Sequence, residues 1–150
     1  MAYLVDTSIF GRLANTSDPQ HGVAENAVLA LKRRGQSLYA SPQNMIEFRS
    51  IATRPIAVNG LGISASDVEA AIADFEKAFP LLPDIPAIYP AWKTLVQAAG
   101  VLGKQVHDAR LIAICQVYTV SHILTFNIPH FVRLTGFAPS VAAVHPAEIE

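Results

Sequence analysis

Three carboxylates and one amide carry most of the chemistry open to this chain: Asp6, Glu47, Asp108 and Asn127. Asp6 closes the apolar run Ala2-Tyr3-Leu4-Val5, and the hydroxyls of Thr7 and Ser8 follow at once. A short apolar run bounded in this way predicts a buried strand. Ligands of an open α/β sheet bind just beyond the carboxyl ends of its strands, which is where Asp6 falls. Glu47 lies in Asn44-Met45-Ile46-Glu47-Phe48, inside a predicted helix. Its neighbours at i−4, i−3, i+3 and i+4 are Gln43, Asn44, Ser50 and Ile51, so no cation stands at the spacing of a helix ion pair. Arg54, two turns on, remains as a partner. Asp108 opens an apolar helix, where the helix dipole alone favours an acid. Asn127 ends the apolar stretch Ile123-Leu124-Thr125-Phe126, where an ordinary turn residue is also at home.

Brought to one sheet edge, these groups would form an oxygen-rich pocket suited to Mg²⁺ or Mn²⁺ rather than zinc. Without a cation, mutual repulsion raises the pKa values of the carboxylates. A divalent metal relieves that repulsion and can activate water for in-line attack on a phosphodiester. Thr7, Ser8 and Thr125 are expected to orient the ligands or hold metal-bound water.

The elements that must position these groups alternate. Strands are predicted at Ala2–Val5, Leu38–Ala40, near Leu81-Leu82, at Ser121–Thr125 and at Val141–Val144. Between them come a short helix from Ser8, then Val23–Arg34 closed by Gly35. A helix opened by Ser41-Pro42 and stopped by Pro55 follows. Further helices are expected over Asp67–Phe79, Ala91–Gly100, Val106–Val117 and Pro129–Leu134, with Asn59-Gly60-Leu61-Gly62 as a loop. Pro80, Pro83, Pro86 and Pro90 form a stiff connector. Alternation of this kind implies a parallel sheet with helices on both faces, joined by right-handed crossovers.

The 150 residues make one domain, 1–150, with no repeat or linker. Hydrophobic residues reach 51% and charged residues only 15%, and mean hydropathy is +0.33. That richness suggests an apolar face buried against another chain. The helices at Val23–Leu31 and Val68–Phe79 are the expected contributors to a homodimer or partner contact, although their stripes equally suit a core. The most apolar stretch, Leu111–Phe126, is broken by Gln116, Ser121 and His122, so no membrane span is expected. The N-terminus lacks a basic region, so no secretory leader and a cytoplasmic location are expected. The single Cys115 allows no internal disulfide and reads as a buried, inert thiol. The net charge of −1 gives no basic footprint for nucleic acid. The run Lys32-Arg33-Arg34 fits a helix C-terminus, and the other cations (Lys93, Lys104, Arg110 and Arg133) are scattered.

The chain resembles PIN-domain ribonucleases, specifically the VapC-type toxins of bacterial toxin–antitoxin pairs. The resemblance rests on an ordered set. It runs from Leu4-Val5-Asp6-Thr7-Ser8 through Ile46-Glu47-Phe48, Ala52-Thr53-Arg54-Pro55 and Asn59-Gly60-Leu61-Gly62. It continues in His107-Asp108-Ala109-Arg110-Leu111 and in Leu124-Thr125-Phe126-Asn127 with Phe131. It implies a three-layer α/β/α fold and cleavage of RNA with Mg²⁺ or Mn²⁺. It also implies homodimerisation and a cognate antitoxin that blocks the site. By the resemblance, Asp6, Glu47 and Asp108 bind metal, and Asn127 completes the catalytic set. The chain departs from the family pattern at the fourth acid. Many members have aspartate where Asn127 stands, and members with asparagine there often carry an aspartate at the place of His130. Asn127 can still offer its side-chain oxygen, and His130 and Arg110 are expected near substrate. The alternative from a different class is a catalytically weak PIN-like module that binds RNA or a protein partner. A phosphatase with Asp6 as nucleophile is disfavoured, because Ser8 stands where such enzymes carry a second acid.

Overall fold

β1 (Ala2–Val5) is an inner strand of a four-stranded parallel sheet in the order β2-β1-β3-β4. A computed structural model describes all 150 residues. β2 (Ser37–Tyr39) pairs one side of β1, with Leu4 opposite Tyr39. β3 (His122–Leu124) pairs the other side, with Val5 opposite Leu124, and β4 (Ala142–Val144) lies beyond it. The chain leaves β1 toward β2 and later returns across it to β3. The strand order therefore reverses beside β1, and Asp6 sits at that switch point.

Alternation along β1 feeds two cores. Tyr3 and Val5 join Leu38 and Leu124 beneath α1 (Thr7–Ala14), α2 (His21–Arg33), α3 (Pro42–Thr53) and α4 (Ala65–Ala78). Leu4 and Ile123 face α5 (Ile88–Ala99), α6 (Gln105–Tyr118) and α7 (Ile128–Thr135). The result is the three-layer α/β/α arrangement expected. Phe10, Phe48, Phe75 and Phe79 knit α1, α3 and α4, with Phe10 4.8 Å from Phe75 and Phe48 5.2 Å from Phe75. Burying one such ring is worth about 1.5–3 kcal/mol.

The expected partner-facing stripes of α2 and α4 are used inside the molecule. Ala24, Val28 and Leu31, with Val68, Ile72 and Phe79, belong to the first core. The cations after α2 divide: Lys32 Nζ donates to the Ala78 carbonyl and lies 4.7 Å from the Phe79 ring centroid, while Arg33 and Arg34 are exposed. Cys115 is fully buried, and burial pushes its thiol up to about 12.

Several boundaries differ from the sequence reading. α5 starts at Ile88, so Pro90 lies within its first turn rather than in the connector. A proline is tolerated there because that N–H would have no helical partner. The strand expected at Leu81-Leu82 is a single parallel bridge from Leu81 to Ala40, an extension of the β2 edge. The loop after α3 folds back on that helix, with Leu61 N donating to Ile51 O and Gly62 N to Arg54 O. A Cβ on Gly60 would come within 1.9 Å of the Arg54 carbonyl oxygen, so only glycine fits. No helix is long and apolar enough to cross a membrane.

Candidate active site

Asp6 holds the N-cap position of α1, yet its side chain caps nothing. It turns instead toward β3. Ser8 Oγ and Thr125 Oγ1 each donate to Asp6 Oδ2 at 2.7 Å, leaving Oδ1 without a side-chain donor. Both hydroxyls are themselves fixed, since Phe126 N donates to Ser8 Oγ and Asn127 N to Thr125 Oγ1. The residues just past β1 and β3 thus aim one buried carboxylate (5% exposed) into the crevice at the switch point.

Glu47 arrives from α3. Ser41 caps that helix through a reciprocal pair with Asn44, and Pro42 takes the first helical position. Asn44 Nδ2 donates to Thr7 Oγ1 at 3.2 Å, and Thr7 Oγ1 donates to Glu47 Oε1 at 2.9 Å. A relay from Asn44 through Thr7 therefore orients the acid. The partner open at the sequence level, Arg54, donates to Ser50 Oγ instead. Arg49 pairs with Glu69. Glu47 is left without a basic partner.

Asp108 comes from the first turn of α6, with His130 Nδ1 of α7 3.8 Å from its Oδ2. Asp6, Glu47, Asp108 and Asn127 all line one cleft of about 180 Å³, together with Thr7 and Ser8. Thr125 is buried against Asp6. Two expected contributors lie beside the cleft rather than in it. His130 is exposed at the rim, in an adjoining groove with Glu47 and Asp108, and Arg110 lines a neighbouring groove with Gln43, Glu47 and Asp84.

Electrostatics set this cleft apart. Burial raises the Asp6 carboxyl above its ordinary value, partly offset by the Ser8 and Thr125 hydroxyls. Burial also raises Glu47, and the nearby Asp6 charge adds to it. Asp108 is pushed up to about 6 by burial and then by Asp6, with His130 pulling the other way. Three acids each made harder to ionise by burial or by one another are what a cation would relieve. The donor set is hard oxygen, which suits Mg²⁺ or Mn²⁺. No three His, Cys, Asp or Glu groups are drawn together into a tight cage. An open, oxygen-lined cleft is still compatible with Mg²⁺, which usually keeps several of its waters. The residues present fit such an ion.

Two cleft residues escaped the sequence reading, Ile51 and the one cation, Arg12. Arg12 is the sole lysine or arginine lining the cleft; its Nε is buried without a hydrogen-bond partner and lies 3.8 Å from Asp18 Oδ2, a loose ion pair. Its guanidinium lies 5.1 Å from the Phe126 ring centroid. Spacing i, i+4 from Ser8 was the signal that could have found it.

Solved structures share this fold. The VapBC2 complex of Rickettsia felis bound to a promoter DNA fragment is 13% identical, with a TM-score of 0.71 over 97% of this chain and 98% of the other. VapBC-1 of nontypeable Haemophilus influenzae is 17% identical, with a TM-score of 0.64 over 97% and 98%. VapC20 of Mycobacterium tuberculosis, described as a sarcin-ricin loop cleaving toxin, is 18% identical, with a TM-score of 0.60 over 81% and 86%. No curated protein matches the chain in sequence. Residues 3–134 match the PIN domain family, and on that match the chain belongs to it.

Proposed function

We propose that the chain is a metal-dependent endoribonuclease and the toxin of a toxin–antitoxin pair, acting in the cytoplasm. The observation that carries this reading is three carboxylates lining one cleft at the sheet's switch point, each with its pKa raised. Asp6, Glu47 and Asp108 are the groups that would hold Mg²⁺ or Mn²⁺, and Asn127 would add a neutral oxygen. The ion, when bound, supplies an activated water and stabilises charge on the phosphoryl oxygens. Ser8 and Thr125 fix Asp6, and Asn44 acts through Thr7 on Glu47. Arg12 offers a cation toward the phosphodiester from an otherwise acidic wall.

Partners follow from the neighbours. VapBC complexes share the fold, which supports a cognate antitoxin for this chain; assembly as a homodimer is what the family resemblance implies. A second reading, a binding module without cleavage, is favoured by the absence of a tight acid cage and by an amide at Asn127. The two separate in one assay. Purified, partner-free protein is incubated with RNA and Mg²⁺, Mn²⁺ or EDTA, alongside Asp6→Asn and Asp108→Asn. Metal-dependent cleavage lost in both variants supports the nuclease. RNA binding without cleavage under either metal supports the module.

A further inference from the structure

α5 carries an aromatic pair that the core explains only in part: Trp92 packs against the second core with one side, and Tyr89 stands outside it. Tyr89 is 64% exposed, and its ring centroid lies 5.8 Å from that of Trp92, one helical turn on. Trp92 Nε1 donates to the Val106 carbonyl at 2.7 Å, so the indole N–H is satisfied and the ring is fixed in place. These rings, with His107 and Arg110 of α6, line a trough of about 390 Å³. Arg110 is held on its other side: Nη1 donates to Gln43 Oε1 at 3.0 Å and Nη2 to Asp84 Oδ1 at 3.1 Å.

The trough does not end there. His107 and Arg110 also line the next groove, which reaches Glu47, and Glu47 belongs to the acid cleft. The trough, this groove and the acid cleft therefore adjoin one another, with His107, Arg110 and Glu47 in their shared walls. A strand whose phosphodiester lies at the carboxylates would bring a neighbouring nucleotide over these adjoining depressions. Chain charge cannot supply general affinity, because Lys and Arg total 11 against 12 acids. Stacking of bases on aromatic rings gives affinity without net charge, and it tolerates any base. A guanidinium beside the rings adds a planar surface of the same kind.

We propose that the trough formed by Tyr89, Trp92, His107 and Arg110 is a subsite for an unpaired nucleobase flanking the cleaved phosphodiester. This rests on the RNA-cleaving reading and adds to it a base-holding surface beside the acid cleft. Tyr89 and Trp92 grip the base, and Gln43 and Asp84 position Arg110.

The test uses Trp92, the only tryptophan in the chain, as its reporter. The full-length protein is titrated in EDTA, where metal-dependent cleavage is stopped. The probe is a randomised single-stranded oligoribonucleotide of about ten nucleotides, within the range such sites bind. The control is an abasic strand of equal length. The expected result is saturable quenching by the oligoribonucleotide and little by the abasic strand. Tyr89→Ala should weaken the apparent Kd roughly tenfold, and Tyr89→Phe should retain it. Thermal unfolding of both variants should match the parent. Equal quenching by the abasic strand, or an unchanged Kd in Tyr89→Ala, overturns the subsite while leaving RNA binding intact. No binding of either strand overturns the RNA reading with it and points to a protein partner for the trough.

Discussion

Two buried polar regions meet at Thr7 and behave in opposite ways. On the α3 side, Ser41 and Asn44 are both fully buried, and their groups answer one another. Ser41 N and Oγ donate to Asn44 Oδ1 at 2.9 and 2.7 Å, Asn44 N donates to Ser41 Oγ, and Asn44 Nδ2 reaches Thr7. On the cleft side, Asp6, Glu47 and Asp108 crowd negative charge that nearby hydroxyls only partly answer. The first region is arranged for stability. The second holds a local electrostatic conflict, and such conflicts gather where a protein binds or reacts. Burial alone does not mark a site; burial with an uncancelled charge does.

The contrast can be broken at its sharpest point with Asp6→Asn. The amide keeps an oxygen for the Ser8 and Thr125 hydroxyls and removes the charge. RNA cleavage should fall by at least about 10³-fold, a loss in keeping with removal of an electrostatic element of catalysis. The Tm of the metal-free protein at neutral pH should be equal or higher, read by thermal unfolding. A lower Tm would mean that Asp6 serves the fold. Asn44→Ala should do the reverse to stability, losing about 2–3 kcal/mol in denaturant unfolding as a buried network is left unsatisfied. A loss below about 0.5 kcal/mol, the scale of a surface change, would remove the distinction between the regions.

The pH dependence sharpens the same point. Asp108 is raised from 3.8 to about 6, so the folded state holds that proton more tightly than the unfolded state. Its contribution is therefore fully present below about pH 4 and is lost as pH rises through about 6. The difference in unfolding free energy between the metal-free parent and Asp108→Asn should change in that window, by on the order of 2 kcal/mol. Saturating Mg²⁺ should remove the change. A flat difference across the window would contradict the crowding of the acids. Asn127→Asp should have the smallest effect, tightening Mn²⁺ binding by roughly tenfold through one added charge. Weaker binding in that variant would place Asn127 outside the ligand set.

Much of this was legible in the sequence because its signals are local. The apolar run ending in Asp6 marked both a strand and its site-bearing end. Ser41-Pro42 marked the start of α3, and spacing excluded a cation at i±3 and i±4 from Glu47 but left open Arg54, which in the fold bonds Ser50 instead. What escaped depends on distant partners. Pro90 reads as a breaker, yet the chain enters α5 two residues earlier and uses it in the first turn. Leu81 becomes a single bridge because only Ala40 pairs with it. The apolar stripes of α2 and α4 suited a partner as well as a core, and only the packing of Phe75 and Phe79 beneath α1 decides between them. Arg12 sits one turn from Ser8, but its contact with Phe126, like that of Asn44 with Thr7, joins residues far apart in the chain.

The central claim is that the three carboxylates form one divalent-cation site. Calorimetric titration of Mn²⁺ into the metal-free protein at neutral pH tests it most directly, with Asp6→Asn, Asp108→Asn and Asn44→Ala compared after circular dichroism confirms folding. Binding is expected in the parent, lost in both aspartate variants, and weakened but still measurable in folded Asn44→Ala, whose relay to Glu47 is broken while all three carboxylates remain. Undiminished binding in Asp6→Asn, or none in the parent, would contradict it.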